Sequence, residues 1–181
     1  PSNAMAVFAV AGDDDDIIHA GVKHLADFLH MLGNPVAVID STGSTSMTRS
    51  LNLSYPLGIL DVQRTLAVCA EDGVAAVIIA MNNATLQREA LESVNVDVLG
   101  SERVAQGEDV ASLKTRYAFV SDRALALTVP TGESDELAAE SPAMFDQDRL
   151  GHMSLAVAMV LAAGVRRNNV RSALRVANNL R

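Results

Sequence analysis

The feature that most constrains this chain is the apolar run Ala6-Val7-Phe8-Ala9-Val10-Ala11. It passes through Gly12 into Asp13, Asp14, Asp15 and Asp16, and then into a helical pattern from Ile17. A strand with no polar alternation expects cover on both faces, and a helix starting at once after it expects an α/β layer architecture. The junction matters because a helix N-terminus presents free N–H groups and a partial positive charge, the usual seat of a phosphate in such folds. Four carboxylates fill that turn here. They suit the helix dipole and repel a phosphate.

The pattern repeats downstream. Residues 16–32 carry apolar positions at helical spacing, and Gly33-Asn34-Pro35 stops them. Residues 36–39 read as a second buried strand, residues 58–72 as a helix closed by Gly73, and residues 74–81 as the most apolar strand. A helix is expected over 84–92 and a short strand over 94–99. Residues 41–50 hold seven hydroxyl side chains and one glycine, which reads as a loop. Farther on, a helix is expected over 107–116, strands over 117–120 and 124–129, and a surface loop over the acidic stretch 131–148. An Ala- and Val-rich helix is expected over 150–163 and an amphipathic one over 167–180. The expectation is a single doubly wound α/β domain over residues 5–181, with a mostly parallel sheet and helices on both faces. Ser2-Asn3-Ala4 before Met5 reads as a tag remnant, so residues 1–4 are set aside.

Composition narrows the function. Tryptophan is absent, aromatics make up 3% and the formal charge is −8. Nucleic acid and anionic membranes are therefore not expected partners. Cys69 is alone and sits in an apolar helical pattern, so a buried inert thiol is expected. No run reaches the roughly 20 apolar residues of a membrane span, and no signal peptide is recognisable, which implies the cytoplasm.

Several residues carry candidate chemistry. Clustered carboxylates suit a divalent cation, and Asp15, Asp16 and His19 are the weak candidates for one; the bland reading is a capped helix start. His24 lies roughly 140° around the helix from His19 and does not join them. Ser41 and Thr42 open a loop that could take an anion with help from Arg49. Asn82 and Asn83 end the central strand where α/β sheets place ligands, although an ordinary turn and N-cap explains them as well. No nucleophile–base set is recognisable among the histidines at 19, 24, 30 and 152. A phosphoreceiver domain, suggested by Asp61 after the early acids, fits less well, because Asp61 opens a helix.

Taken together, the segments resemble the central ATP-binding domain of the Mur ligases, which add amino acids to peptidoglycan precursors. The branch most resembled is the UDP-N-acetylmuramoyl-tripeptide synthetases. The family's V-T-G-T-N-G-K-T loop has its counterpart in residues 10–17. Its G-x-P-V break matches Gly33-Asn34-Pro35-Val36, its T-T-G matches Ser41-Thr42-Gly43, and its D-L-Q-R helix matches Asp61-Val62-Gln63-Arg64. Gly151-His152, followed by Gly164-Val165, is similar to the family's late G-x-x-N-x-x-N-A helix and its G-V turn. The resemblance implies ATP and magnesium at Gly12, Asp13, Asp14, Asp15, Asp16, Ser41, Thr42, Asn82, Asn83 and Lys114, the last matching a lysine that becomes carbamylated.

The chemical residues themselves are replaced. The loop lysine falls at Asp16, the magnesium-binding hydroxyl at Ile17, and the glutamate of E-V-S-S-H at Ala80. Residues 99–110 look shortened against the family. Lysine to aspartate changes the local charge by two units. At about 4 Å and an effective dielectric near 20, each wrong-sign contact costs on the order of 4 kcal/mol before screening. The expectation is a non-catalytic Mur-ligase-like domain, without ATP or metal and with no catalytic residues. It would bind or regulate in peptidoglycan precursor synthesis, as a homo-oligomer or beside a cell-wall enzyme. Two alternatives stand: an active ligase domain using the 41–50 loop and Lys114, or a small-ligand or divalent-cation-binding module.

Overall fold

The computed structural model describes residues 5–102, 109–141 and 147–179. The chain runs β1 (Ala6–Ala11), α1 (Asp15–Met31), β2 (Val36–Ile39), β3 (Ser44–Ser46), β4 (Arg49–Leu51), α2 (Ile59–Glu71) and β5 (Ala76–Ala80). It continues through β6 (Val98–Ser101), α3 (Val110–Tyr117), β7 (Leu127–Thr128), α4 (Gly132–Ala139), α5 (Gln147–Ala162) and α6 (Arg167–Asn179). The strands form a seven-stranded sheet in the order β4-β3-β2-β5-β1-β6-β7. β2, β5, β1, β6 and β7 are parallel, with Phe8 opposite Ile78 on one side and Val98 on the other. β3 and β4 add an antiparallel edge.

Period-2 alternation distributes the buried strand residues to two cores. Phe8, Val10, Ile78 and Val98 face α1, α4, α5 and α6. Val7, Ala9, Ile39, Val77 and Ile79 face α2, α3 and the turns before β6. The α1 stripe of Ile18, Val22, Leu25, Phe28 and Leu29 is fully buried, which is why its helical spacing is so clear in the sequence. Gly33 at φ 93° ends α1 in a conformation that L side chains rarely adopt.

Five expectations are corrected. Residues 41–50 are not a loop: they hold β3 and part of β4. Their hydroxyls face partners, with Ser44 Oγ 2.6 Å from the Tyr55 hydroxyl and Ser46 Oγ donating to Asp72 at 2.7 Å. Residues 84–92 form successive turns, not a helix, because other segments claim their backbone. Leu86 bridges to Leu57, and the N–H groups of Glu89 and Leu91 donate to the carbonyls of Arg116 and Tyr117. The strand expected at 94–99 lies at Val98–Ser101. Of the strands expected at 117–120 and 124–129, only Leu127–Thr128 joins the sheet, with Val120 making an isolated bridge to Asn95. Within 131–148, Gly132–Ala139 is a helix capped by Thr131, and it buries Leu137 and Ala138.

The expected helices α2, α3, α5 and α6 are present, and Cys69 is fully buried. The apolar side chains of α5 from Met153 to Val160 are all buried within this chain. The shortened segment at 99–110 falls largely outside the described residues, as do residues 1–4. Among the described residues, no helix is long and apolar enough to cross a membrane.

Candidate functional site

The parallel strands end together, and the expected site residues gather at that edge. Asp14 caps α1: its Oδ1 accepts from the N–H groups of Asp16 at 2.8 Å and Ile17 at 3.3 Å. The groups that would face a phosphate are thus taken by the chain's own carboxylate, while Asp13, Asp15 and Asp16 stand exposed around them. Gly12, half-buried, links β1 to this cap.

From α1 a polar relay crosses the strand ends. Asn82 Nδ2 donates to Asp15 Oδ1 at 3.0 Å, and Asn82 Oδ1 accepts from the Thr85 N–H at 3.0 Å. Thr85 Oγ1 in turn accepts from the Ser41 N–H at 3.1 Å. Next along the chain, Asp40 Oδ1 accepts from the Thr42 N–H at 3.0 Å. Its carboxylate is 3% exposed and lies 2.7 Å from His19 Nδ1 on α1. The direction of that approach does not suit an N–H hydrogen bond, so Nδ1 is a buried polar atom without a hydrogen-bond partner. The two groups interact as a close charge contact when the ring is protonated. Asp15, His19, Ser41, Thr42 and Asn82, separate in the sequence, therefore share one edge.

Other candidates lie apart. Asn83 Oδ1 accepts from the Tyr117 hydroxyl at 2.8 Å, which turns it toward α3. Lys114 is exposed on α3, whose buried side chains join the core opposite to that of α1. Arg49 is drawn away from the 41–44 turn and pairs with Asp72 at the end of α2. The Ser46 hydroxyl and then the Arg49 guanidinium hold the Asp72 carboxyl below its usual range. Among the described residues, no group of three or more His, Cys, Asp or Glu side chains is placed to hold a metal.

The concave feature beside this edge is one that the sequence reading missed. A groove of about 920 Å³ runs along α1 over the sheet edge formed by β2 and β3. Its floor is Val22, Val36 and Val38. Its upper end is Asp16, His19 and Asp40, and Lys23, Asp27 and His30 follow along α1. The signal for it was available: His19, Lys23, Asp27 and His30 recur at three- and four-residue spacing on one polar strip of α1. What could not be read was that the antiparallel β3 would extend the sheet beyond the reach of α1.

Fold and site together define an α/β domain with a mostly parallel seven-stranded sheet and a carboxylate-capped first turn. No family model matches the chain, and no curated protein matches it. Among solved structures, it is similar to the bifunctional folylpolyglutamate synthase/dihydrofolate synthase from Yersinia pestis, with 16% identity and a TM-score of 0.51. The match covers 95% of this chain and 57% of that one, so this chain spans little more than half the length of its neighbour. At this identity the likeness speaks for the fold alone.

Proposed function

We propose that the chain is a non-catalytic, Mur-ligase-like domain that binds a small ligand in the α1–β2–β3 groove and does not turn over ATP. The observation that carries this reading is the cluster of exposed carboxylates, Asp13, Asp15 and Asp16, around a helix start already capped by Asp14. The Asp14 carboxylate satisfies the N–H groups of Asp16 and Ile17, and the family's lysine and hydroxyl positions hold Asp16 and Ile17. Phosphate binding in such loops draws on backbone N–H groups, a lysine and a metal together. The link to peptidoglycan precursor synthesis, and to the tripeptide-synthetase branch in particular, rests on the motif resemblance. A homo-oligomeric or cell-wall-enzyme-partnered setting in the cytoplasm is part of the same reading.

The groove suggests the ligand's chemistry. Asp16, Asp27 and Asp40 outnumber Lys23 among its fixed charges, and its floor is aliphatic. A ligand with an ammonium or other donor head and an apolar body matches both features. Thermal-shift screening against aliphatic amines, UDP-sugars, ATP–Mg and divalent cations tests the reading. The expected result is a rise in Tm with an amine, lost in Asp16→Asn, and none with ATP–Mg. Micromolar ATP affinity by calorimetry, abolished in Asp16→Ala, would overturn it.

A further inference from the structure

Helices α1 and α5 pack side by side, and their contact brings His24 against His152. The ring centres are 5.1 Å apart and the planes are tilted by 39°. Each ring has its Nδ1 against an acceptor. His24 Nδ1 lies 2.8 Å from the carbonyl oxygen of Ala20, and His152 Nδ1 lies 2.6 Å from Glu102 Oε2. A carbonyl and an ionised carboxylate accept and do not donate, so both Nδ1 atoms carry the proton. In the neutral rings both lone pairs then sit on Nε2.

This is the surrounding that orients metal-bound histidines, in which the second ring nitrogen donates to a carbonyl or carboxylate. Two imidazoles on one tetrahedral ion, with metal–nitrogen bonds of about 2.0–2.1 Å, place their ring centres roughly 5 Å apart. The separation found agrees.

A second observation concerns Gly151, which lies inside α5, where glycine weakens a helix by about 1 kcal/mol relative to alanine. A Cβ there would stand 2.6 Å from Glu102 Oε1. Glycine at this position is what gives Glu102 room to reach His152.

We propose that His24 and His152 hold one borderline divalent transition-metal ion through their Nε2 atoms, with Glu102 and the Ala20 carbonyl orienting the rings. Imidazole pairs suit Zn²⁺, Ni²⁺ and Cu²⁺ and not Mg²⁺ or Ca²⁺. With two protein ligands, the remaining coordination positions fall to water or an incoming donor. Neither histidine lines the groove, so the metal site stands or falls independently of the ligand reading.

The test is calorimetric titration of the full chain with NiCl2 and ZnCl2 at pH 7.5 in a non-coordinating buffer. One ion per chain is expected. His24→Gln and His152→Gln should each weaken binding about a hundredfold, and Glu102→Gln about tenfold. Glu71→Gln, exposed at the end of α2, should leave it unchanged. Should a variant fail to fold, electron paramagnetic resonance of the Cu²⁺-loaded wild-type chain decides: coupling to two imidazole nitrogens is expected. No binding at millimolar metal, binding unaffected by either glutamine variant, or coupling to fewer than two nitrogens would each refute the site.

Discussion

Helix α1 meets the polar world in two places, and it treats them differently. In its first turn, Asp14 accepts from the N–H groups of Asp16 and Ile17, so donors that a ligand would need are satisfied locally. One turn later, His19 keeps a buried Nδ1 without a hydrogen-bond partner beside a buried Asp40, at the head of an open groove. A helix N-terminus offers a strong anion site only while its N–H groups are unspoken for. A concavity with an imidazole and carboxylates at its head and an aliphatic floor still has something to offer a ligand. The comparison teaches that the capped helix start and the concave head of the groove are separate places, although they share a helix.

That contrast can be broken at several points. The largest expected effect is a control on the buried side of α1. Phe28 is fully buried, and Phe28→Ala should lower unfolding free energy by about 3–5 kcal/mol in a denaturant titration. A much smaller loss would mean that α1 is not anchored as described, and neither polar region would keep its geometry. Next comes the groove head. Asp40→Ala leaves the Thr42 N–H without its acceptor and should cost about 1–3 kcal/mol. It should also remove any amine-induced Tm shift; a shift that survives would place the ligand elsewhere.

Asp14→Ala sharpens the other half of the comparison. Loss of the cap should cost about 1 kcal/mol. Calorimetry should still show no ATP–Mg binding, since Asp13, Asp15 and Asp16 remain. Recovered nucleotide affinity in this single variant would show that the cap alone, and not the surrounding charge, closes the turn. The smallest effect is expected at the sheet edge. The Asp72 carboxyl is held low by Ser46 and Arg49. Its folded pKa lies below its unfolded one, so its contribution is present above the unfolded value, near pH 4, and lost as pH falls through the folded value. Asp72→Asn should lower Tm slightly at pH 7, and by progressively less as pH falls below 4. A difference that does not shrink with falling pH would mean that charge is not the cause.

Much of the fold was legible where burial dictates pattern. β1, β2, β5 and α1 carry strong apolar periodicity because each packs against a core. The errors fall where local pattern and long-range pairing disagree. The hydroxyl-rich 41–50 segment reads as loop chemistry, yet β2 supplies an edge on which Ser44–Ser46 can pair. The acidic 131–148 stretch reads as solvated, yet Thr131 caps a helix there and Leu137 fills the core under α5. Residues 84–92 have helical spacing, but their N–H groups are claimed by Leu57, Arg116 and Tyr117, which no local rule anticipates.

By itself the sequence determined the α/β layering and the crowding of negative charge at the first turn. Both follow from side chains adjacent in the chain: apolar runs that must be covered, and four carboxylates at one helix start. Tertiary structure alone decided that Asp15, Asn82, Thr85 and Ser41 would form one relay, that His19 would meet Asp40 at the head of a groove, and that His24 would meet His152. Those encounters depend on strand order and on helix packing between distant segments, and the spacing of residues along a chain does not encode where its strands will lie beside one another.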